Sequence, residues 1–382
     1  MARIGIVGTG WGARVQVPTF REAGLEVTGI AGQRPERTRA VADDLGVRPY
    51  DDWRELIAAP DVELVSIVTP PSEHREMALA ALDAGKHVLL EKPTALHAGE
   101  AEELVEAAKR HPGRIALIDH ELRFLPSWRE ARTRLAELGP IRYAEVRYSS
   151  PARGDRKREW NWWSDASRGG GIWGAVGSHF VDALRFFGVE FEEVQALMRT
   201  TIERRPVPRG SSGSSGSSGG AASESVTPRN SEEPRGTPWN SDTDTREVTS
   251  DDFASVDLRC RGGAVAVMTF SAVSTGPDET SVLTIYAEEG AIRFIGEEVL
   301  LSTGRAPFAR MAGAANEERP GNSHGGAFGS GTLYLARALR EALDSGNRDA
   351  LAPGATFEDG LMQQRVLDAA RASASRGGWV RV

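Results

Sequence analysis

Short apolar runs separated by amphipathic stretches fill residues 1–119. The runs that predict strands lie at 3–7, 25–31, 62–69, 87–90 and 115–118. Runs of this length predict strands that are buried on both faces, and the longer stretches between them predict helices. One such helix begins after Ser72 and ends at Gly85. The pattern predicts an α/β fold with a doubly wound parallel sheet, a Rossmann domain at 1–120.

The pattern changes beyond residue 120. Apolar and charged residues alternate over 256–261, and two glycines then turn the chain into the apolar run 264–270, which predicts a hairpin with one solvent-facing side. Further strands are expected at 282–287, 291–295 and 379–382, and helices near 328–345 and 356–376. Residues 121–382 are therefore predicted to form an α+β domain with an open, mainly antiparallel sheet.

A polar segment at 206–246 interrupts this second domain. Residues 210–220 are all glycine or serine, and the remainder is rich in serine, proline and charged residues. Such a composition buries too little apolar surface to offset the entropy of ordering, so we expect disorder. The segment is either a dispensable surface insertion or a partner-binding, regulatory one.

Composition narrows the classes of function. The chain has 382 residues, 40% of them hydrophobic, and 46 basic against 54 acidic residues give a net charge of −8. With no dense basic block, nucleic acid and anionic membranes are not expected partners, which leaves a small molecule or a protein. The lone Cys260, together with the lack of a signal peptide or a long apolar run, predicts a cytoplasmic protein without a membrane span.

A glycine-rich turn follows the first predicted strand and precedes a helical pattern. It fits G-x-G-x-x-A, in which the first glycine allows a tight turn, the second lets the backbone approach a pyrophosphate and the last small residue lets the helix pack closely. A helix N-terminus at this place attracts a phosphate. The residues predicted to bind the cofactor phosphates are Gly8, Thr9, Gly10, Trp11, Gly12 and Ala13.

The end of the second strand bears on the choice of cofactor. A NAD-binding unit normally has an acidic residue there for the ribose 2′-hydroxyl, whereas this chain has Gln33 and Arg34, with Arg37 one helical turn on. The first acid, Glu36, lies in the next helix. We predict that these residues contact the cofactor and favour NADP, with NAD as the alternative.

Only four of the 46 basic residues are lysine, and one of them, Lys92, follows the strand at 87–90 within Glu91-Lys92-Pro93. The carboxyl edge of a doubly wound sheet is where ligands bind. Together with the glycine turn, the segment 69–74 and the segment 169–182, this motif resembles the glucose-fructose oxidoreductase/inositol dehydrogenase/MocA (Gfo/Idh/MocA) family. The resemblance covers the chain to its end, apart from 206–246.

The resemblance implies hydride transfer between NAD(P) and a sugar, a cyclitol or a related polyol. It implies a substrate pocket on the open sheet and a homo-oligomer, a dimer or a tetramer. Lys92 would touch both the substrate oxygen and the nicotinamide, and the Lys92–Pro93 bond would be cis. The further cofactor contacts that the resemblance implies are Thr69, Pro70 and His74 around the adenosine, and Glu91, Lys92 and Pro93.

Within this resemblance, His179 is the candidate for proton transfer and Lys92 supplies positive charge. Family members place an aspartate four residues before this histidine, where this chain has Ala175. Helical spacing would place Ala175, His179 and Asp182 along one side. Either His179 works with Lys92 and water, or Asp182 or Asp119 compensates, or the reaction has been lost.

Three residues are candidate substrate contacts. Trp162 lies in an aromatic stretch before the triple glycine, Arg123 follows the last Rossmann strand, and Asp182 lies one helical turn after His179. Trp162 could equally well belong to the core or to a subunit contact. Arg123 could equally well form a structural salt bridge. No histidine has the spacing of a metal site, so no metal is predicted.

Three functions stay open from the sequence. The first is an NADP-preferring dehydrogenase or reductase acting on a polyol-like substrate. The second keeps its cofactor bound and uses transient oxidation for epimerisation or elimination. The third is a dinucleotide-binding sensor without catalysis, which the missing acid at position 175 and the polar insertion suggest.

Overall fold

The computed structural model of the protein describes residues 1–207, 244–274, 280–311, 318–321 and 326–382. Most of the segment predicted to be disordered, residues 208–243, lies outside the described residues, so its predicted disorder stays a prediction. His324 also lies outside the described residues. The sequence predicted no metal site at this histidine, and that stays a prediction.

Strands and helices alternate through residues 1–118, all of which are described. The elements are β1 (Arg3–Val7), α1 (Val17–Glu22), β2 (Glu26–Ala31), α2 (Pro35–Leu45), β3 (Arg48–Tyr50), α3 (Trp53–Ala58), β4 (Leu64–Ile67), α4 (Pro71–Asp83), β5 (His87–Leu90), α5 (Ala98–Arg110) and β6 (Ala116–Ile118). The strands pair in parallel in the order β6-β5-β4-β1-β2-β3. The predicted doubly wound sheet is confirmed, and its strand order reverses beside β1.

The rest of the described chain supplies the second sheet and the helices that cover it. Its elements are α6 (Pro126–Glu137), β7 (Ile141–Ser149), α7 (Ser178–Phe186), β8 (Phe191–Arg199), β9 (Arg204–Pro206), β10 (Thr245–Glu247), β11 (Phe253–Cys260), β12 (Val265–Ser271), β13 (Thr280–Ala287), β14 (Gly290–Ile295), β15 (Glu298–Thr303), β16 (Ala309–Arg310), α8 (Gly326–Ser345), β17 (Ala355–Thr356), α9 (Phe357–Arg376) and β18 (Val380–Arg381).

Nine of these strands form one sheet in the order β16-β15-β14-β13-β7-β12-β11-β8-β18. Its pairs are antiparallel except β7 with β12, which agrees with the predicted mainly antiparallel sheet. The residues of β11 and β12 that face the core are fully buried, among them Val256 and Phe270. They share one apolar cluster with Trp173 and with residues of α7 and α9. This core supports the helix that carries His179.

Two later segments of the chain also pack on the Rossmann sheet. Strand β17 pairs antiparallel with β6 and extends the first sheet. Helix α8 buries Leu333 and Leu339 in the same apolar cluster as Ile4 and Phe20. The apolar face of α8 was evident in the sequence, but helical periodicity does not say which of two sheets the face covers.

The ends of the predicted coil at 206–246 are ordered. Pro206 pairs with Thr245 in a two-stranded antiparallel ribbon of β9 and β10. The Trp160 amide donates to the Pro206 carbonyl at 2.7 Å, so the ribbon lies against the loop that precedes the triple glycine. The sequence did not predict this pairing, because the ribbon is held by main-chain hydrogen bonds and has few apolar residues.

None of the helices in the described part of the chain combines the length and the apolar character needed to cross a membrane.

Candidate active site

The glycine turn after β1 has the shape that a pyrophosphate requires. Gly8 has φ +138°, and a Cβ there would lie 2.3 Å from the Val68 carbonyl oxygen. A Cβ at Gly12 would lie 2.7 Å from Ile6, so this glycine allows the close packing of helix and strand. A Cβ at Gly10 would have no atom of the described residues within 4 Å, which leaves open space over the turn. These features fit the phosphates of a dinucleotide.

A π-helical turn at Gly12–Gln16 leads from this glycine turn into α1. A second π-helical turn, Trp173–Gly177, leads into α7, the helix of His179. Such turns are rare and occur frequently at functional sites. The second one interrupts the ideal helical spacing on which the predicted alignment of Ala175, His179 and Asp182 depended.

Arginines surround the end of β2. Gln33 and Arg34 are exposed, and burial lowers the pKa of Arg37, which the charges of Arg34 and Arg14 lower further. The positive charges of Arg34 and Arg14 therefore act on the Arg37 guanidinium. This concentration of positive charge is where the sequence predicted the 2′-phosphate of NADP, and that prediction remains to be tested.

His74, a predicted cofactor contact, lies in the interior of the Rossmann domain. Its side chain is completely buried, with Nε2 2.9 Å from the Thr69 carbonyl oxygen and Nδ1 3.0 Å from that of Pro93. Burial lowers its pKa to about 4, so the ring is neutral and only one nitrogen donates at a time. His74 therefore joins the turns after β4 and β5 and shapes the cofactor crevice without being open to a cofactor itself.

Lys92 stands at the carboxyl end of β5, followed by a cis bond to Pro93. Its Nζ donates to the main-chain carbonyl of Ala175 at 3.0 Å. Position 175, where the resemblance implies an acid, therefore contacts Lys92 through a backbone oxygen. That contact fixes the ammonium beside the start of α7.

A buried carboxyl group follows β6. Asp119 accepts a hydrogen bond from the Gln16 amide at 2.8 Å. Burial raises the pKa of Asp119 well above its ordinary value, and the charge of Glu91 raises it further. Because Asp119 is hydrogen-bonded to Gln16, it does not replace the missing partner of His179.

The imidazole of His179 lies between two other rings. The His120 ring is perpendicular to it, with centroids 5.9 Å apart, and the Phe328 ring is 4.9 Å away. Burial lowers the pKa of His179 well below its ordinary value, and the positive charge of Lys92 lowers it further. The ring is therefore neutral near pH 7 and able to accept a proton.

The hydrogen-bond network assigns the tautomer of His120. The Gln363 amide nitrogen is 2.7 Å from the Ser178 carbonyl oxygen and 2.8 Å from His120 Nε2, so it donates to both. The His120 proton is then on Nδ1, 3.6 Å from an oxygen of Asp182. Burial lowers the pKa of His120 to about 4, which leaves it neutral.

Arg123 and Asp182, two predicted substrate contacts, bind each other. Arg123 donates through Nε at 2.9 Å and Nη2 at 2.6 Å, and both side chains are buried. A carboxylate held by a bidentate arginine has few lone pairs left for a substrate. The geometry therefore favours the structural salt bridge, the alternative that the sequence had left open for Arg123, and places Asp182 beside His120.

Trp162 is half-buried in the loop before the triple glycine, and its ring lies 5.5 Å from that of Trp163. Its contact with substrate stays a prediction. Among the described residues, no group of three or more histidine, cysteine, aspartate or glutamate side chains is arranged to hold a metal ion.

His120 was assigned no role in the sequence, and two further residues of the site were missed. His120 lies two residues after β6, which pairs with β5, so the rule that ligands meet the carboxyl ends of strands points to it. Phe328 and Gln363 come from α8 and α9, more than 140 residues after His179. No local sequence pattern predicts such partners, because only the packing of the C-terminal helices places them beside His179 and His120.

Comparison with known families supports this description. Residues 2–118 match the family described as "Oxidoreductase family, NAD-binding Rossmann fold", and residues 128–293 match the "GFO/IDH/MocA C-terminal domain". An uncharacterized oxidoreductase of Synechocystis is 33% identical over 54% of this chain and 56% of that protein. The bovine glucose-fructose oxidoreductase domain-containing protein 2 is 26% identical over 98% of this chain and 92% of that protein.

Solved structures share the whole fold. The oxidoreductase domain protein from Kribbella flavida superposes with a TM-score of 0.82 at 26% identity, covering all of both chains. A levoglucosan dehydrogenase in complex with NADH and levoglucosan has a TM-score of 0.80 at 22% identity, covering 100% of this chain and 99% of that one. With both domains matched, this chain belongs to the Gfo/Idh/MocA family of NAD(P)-binding oxidoreductases and is a dehydrogenase or reductase.

Proposed function

We propose that the protein transfers a hydride between a nicotinamide cofactor and a hydroxyl or carbonyl carbon of a sugar, a cyclitol or a related polyol. The observation that carries this proposal is the position of the Lys92 ammonium at the carboxyl edge of the Rossmann sheet, where it donates to the Ala175 carbonyl, four residues before His179. A levoglucosan dehydrogenase and an aldose-aldose oxidoreductase with the same fold support a sugar-like substrate.

In the proposed reaction, His179 and Lys92 have separate roles. The nicotinamide, when bound, accepts or supplies the hydride. In the oxidation direction, His179 accepts the hydroxyl proton as the carbonyl forms, and in the reduction direction it returns that proton. Lys92, held by the Ala175 carbonyl, stabilises the negative charge that develops on the reacting oxygen. Phe328 contributes an apolar wall beside the His179 ring.

Turnover on a panel of sugars and polyols tests the function. We expect at least one member to change the 340 nm absorbance of added cofactor, and we expect His179→Asn to lower that rate by about 10²-fold or more, as for loss of a general base. Full activity in His179→Asn would contradict the role of this residue. Product formation without net cofactor reduction would favour epimerisation or elimination, and binding without turnover would favour a sensor.

We propose NADP as the preferred cofactor. The support is the guanidinium cluster at the end of β2 and the absence of an acid between Gly32 and Pro35. We expect replacement of both Arg34 and Arg37 by serine to weaken NADPH binding by about tenfold or more, since two charge-assisted contacts to a phosphate would be lost. NADH affinity should change little.

Fluorescence titration with the two reduced cofactors measures this difference. Arg39→Ser is the matched control, because Arg39 lies on the same helix but is exposed and pairs with Asp51. Tighter binding of NADH than of NADPH by the unmodified protein would contradict the proposed preference.

A further inference from the structure

We propose that Glu73, together with Gln33 and Arg168, forms a bridge across the adenosine end of the cofactor crevice and slows release of the bound cofactor. We refer to these three side chains as the Glu73 bridge. The inference rests on the proposed function in one respect only, that the glycine turn binds NAD(P).

The bridge spans the point where a dinucleotide crosses the sheet. Gln33 follows β2, and Glu73 lies in the first turn of α4, directly after β4. Strands β2 and β4 are the two neighbours of β1, whose carboxyl end carries the glycine turn. The Gln33 amide donates to Glu73 Oε1, so a hydrogen bond joins the two sides of the crevice. The adenosine end of a dinucleotide lies toward the β2 side of this crevice.

The third member comes from the substrate domain. Arg168 Nη2 donates to the same Glu73 oxygen at 2.9 Å. Arg168 ends a short 3₁₀ turn, Ala166–Arg168, which Asp165 caps through the Ser167 amide. The Ala166 amide donates to the Thr249 hydroxyl at 3.0 Å, which ties the turn to the segment before β11. Arg168 therefore reaches the Rossmann domain from a loop that is itself well supported.

Backbone packing brings the two domains together at this point. The residue after Arg168, Gly169, has φ +82°, and a Cβ there would lie 2.7 Å from Pro71 at the start of α4. Only glycine allows this approach without strain. Backbone packing thus fixes the position of the Arg168 loop against α4. The ion pair of Arg168 with Glu73 is therefore supported by the backbone as well as by the two side chains.

The ion pair is better shielded from water than most others of this chain. The Arg168 and Glu73 side chains are 16% and 20% exposed, whereas Arg75 and Glu103, which pair between α4 and α5, are 41% and 51% exposed. Burial raises the pKa of Glu73, while Arg168 and Gln33 act in the opposite direction. Shielding of this kind strengthens a charged hydrogen bond, so opening the bridge has a measurable free-energy cost.

Release of a cofactor bound beneath the bridge requires the bridge to open. We expect Glu73→Ala to raise the dissociation rate constant of NADPH about tenfold, the effect of losing a charge-assisted hydrogen bond. Arg168→Ala should raise it similarly, and the double variant no further, because both single changes open the same bridge. The rate is measured by displacing bound NADPH in a stopped-flow fluorimeter, with NADH as a second probe.

Two features of the test separate the bridge from plain electrostatics. Removal of the Glu73 charge alone would slow the release of an anionic cofactor, whereas opening of the bridge speeds it. Glu103→Ala, the same substitution in the exposed pair, removes the same charge away from the crevice and should leave the rate unchanged. If NADPH leaves the Glu73→Ala variant more slowly than the unmodified protein, or at the same rate, the bridge is overturned and the proposed function stands. If the unmodified protein binds neither reduced cofactor, both the proposed function and the bridge are overturned.

Discussion

Lys92→Met is expected to lower turnover by about 10²- to 10³-fold, the usual effect of removing one donor to a developing oxyanion. Methionine keeps the length and most of the apolar stem of lysine but cannot donate to a reacting oxygen. It also abolishes the contact of Nζ with the Ala175 carbonyl, so the charge that faces His179 disappears. Cofactor binding should persist, because the glycine turn is untouched.

Steady-state rates with the best substrate of the panel measure this effect. Lys109→Met is the matched control, because this lysine is exposed on α5 and pairs with Glu106. Lys92→Arg keeps the charge but not the compact ammonium, and we expect it to recover little of the rate. Turnover of Lys92→Met within a factor of two of the unmodified protein would contradict the role of Lys92 at the reacting oxygen.

Arg123→Met is expected to reduce the free energy of unfolding by about 3–5 kcal/mol, the range found when one partner of a buried ion pair is removed. The Asp182 carboxylate would remain in the interior with only 4% of its side chain exposed and without its bidentate donor. The Arg123 guanidinium also lies 5.7 Å from the centre of the Phe186 ring, a contact that methionine replaces only in part.

Denaturant unfolding of the single and double variants tests this expectation. Arg123→Met with Asp182→Leu should recover most of the lost stability, because it removes the unpaired charge as well. A loss of less than about 1 kcal/mol in the single variant would show that the pair contributes no more than a surface ion pair. A raised KM with unchanged stability would instead support the prediction that Arg123 binds substrate.

Much of the fold followed from local pattern. Apolar runs and turn residues predicted five of the six parallel Rossmann strands and the hairpin of β11 and β12 to within a few residues, because burial on one or both faces fixes the period of a strand. Short or mixed strands such as β3 and the ribbon of β9 and β10 were missed. Their residues are mostly exposed or half-buried, so they carry little of the hydrophobic signal.

The sequence by itself determined which edge of the sheet carries the candidate residues. The glycine turn after β1 and Lys92 after β5 lie at one sheet edge, because parallel strands place their carboxyl ends together. The sequence also showed that position 175 has no carboxylate.

Tertiary structure alone decided which groups those residues meet. It gave Lys92 the Ala175 carbonyl, Asp182 the Arg123 guanidinium and Glu73 the Arg168 side chain. Each of these partners lies 59 to 95 positions away in the chain. Hydrogen bonds and ion pairs form between side chains and backbone atoms that packing brings within about 3 Å. Helical and strand periodicity fixes neighbours only within one element, so it carries no information on such distant contacts.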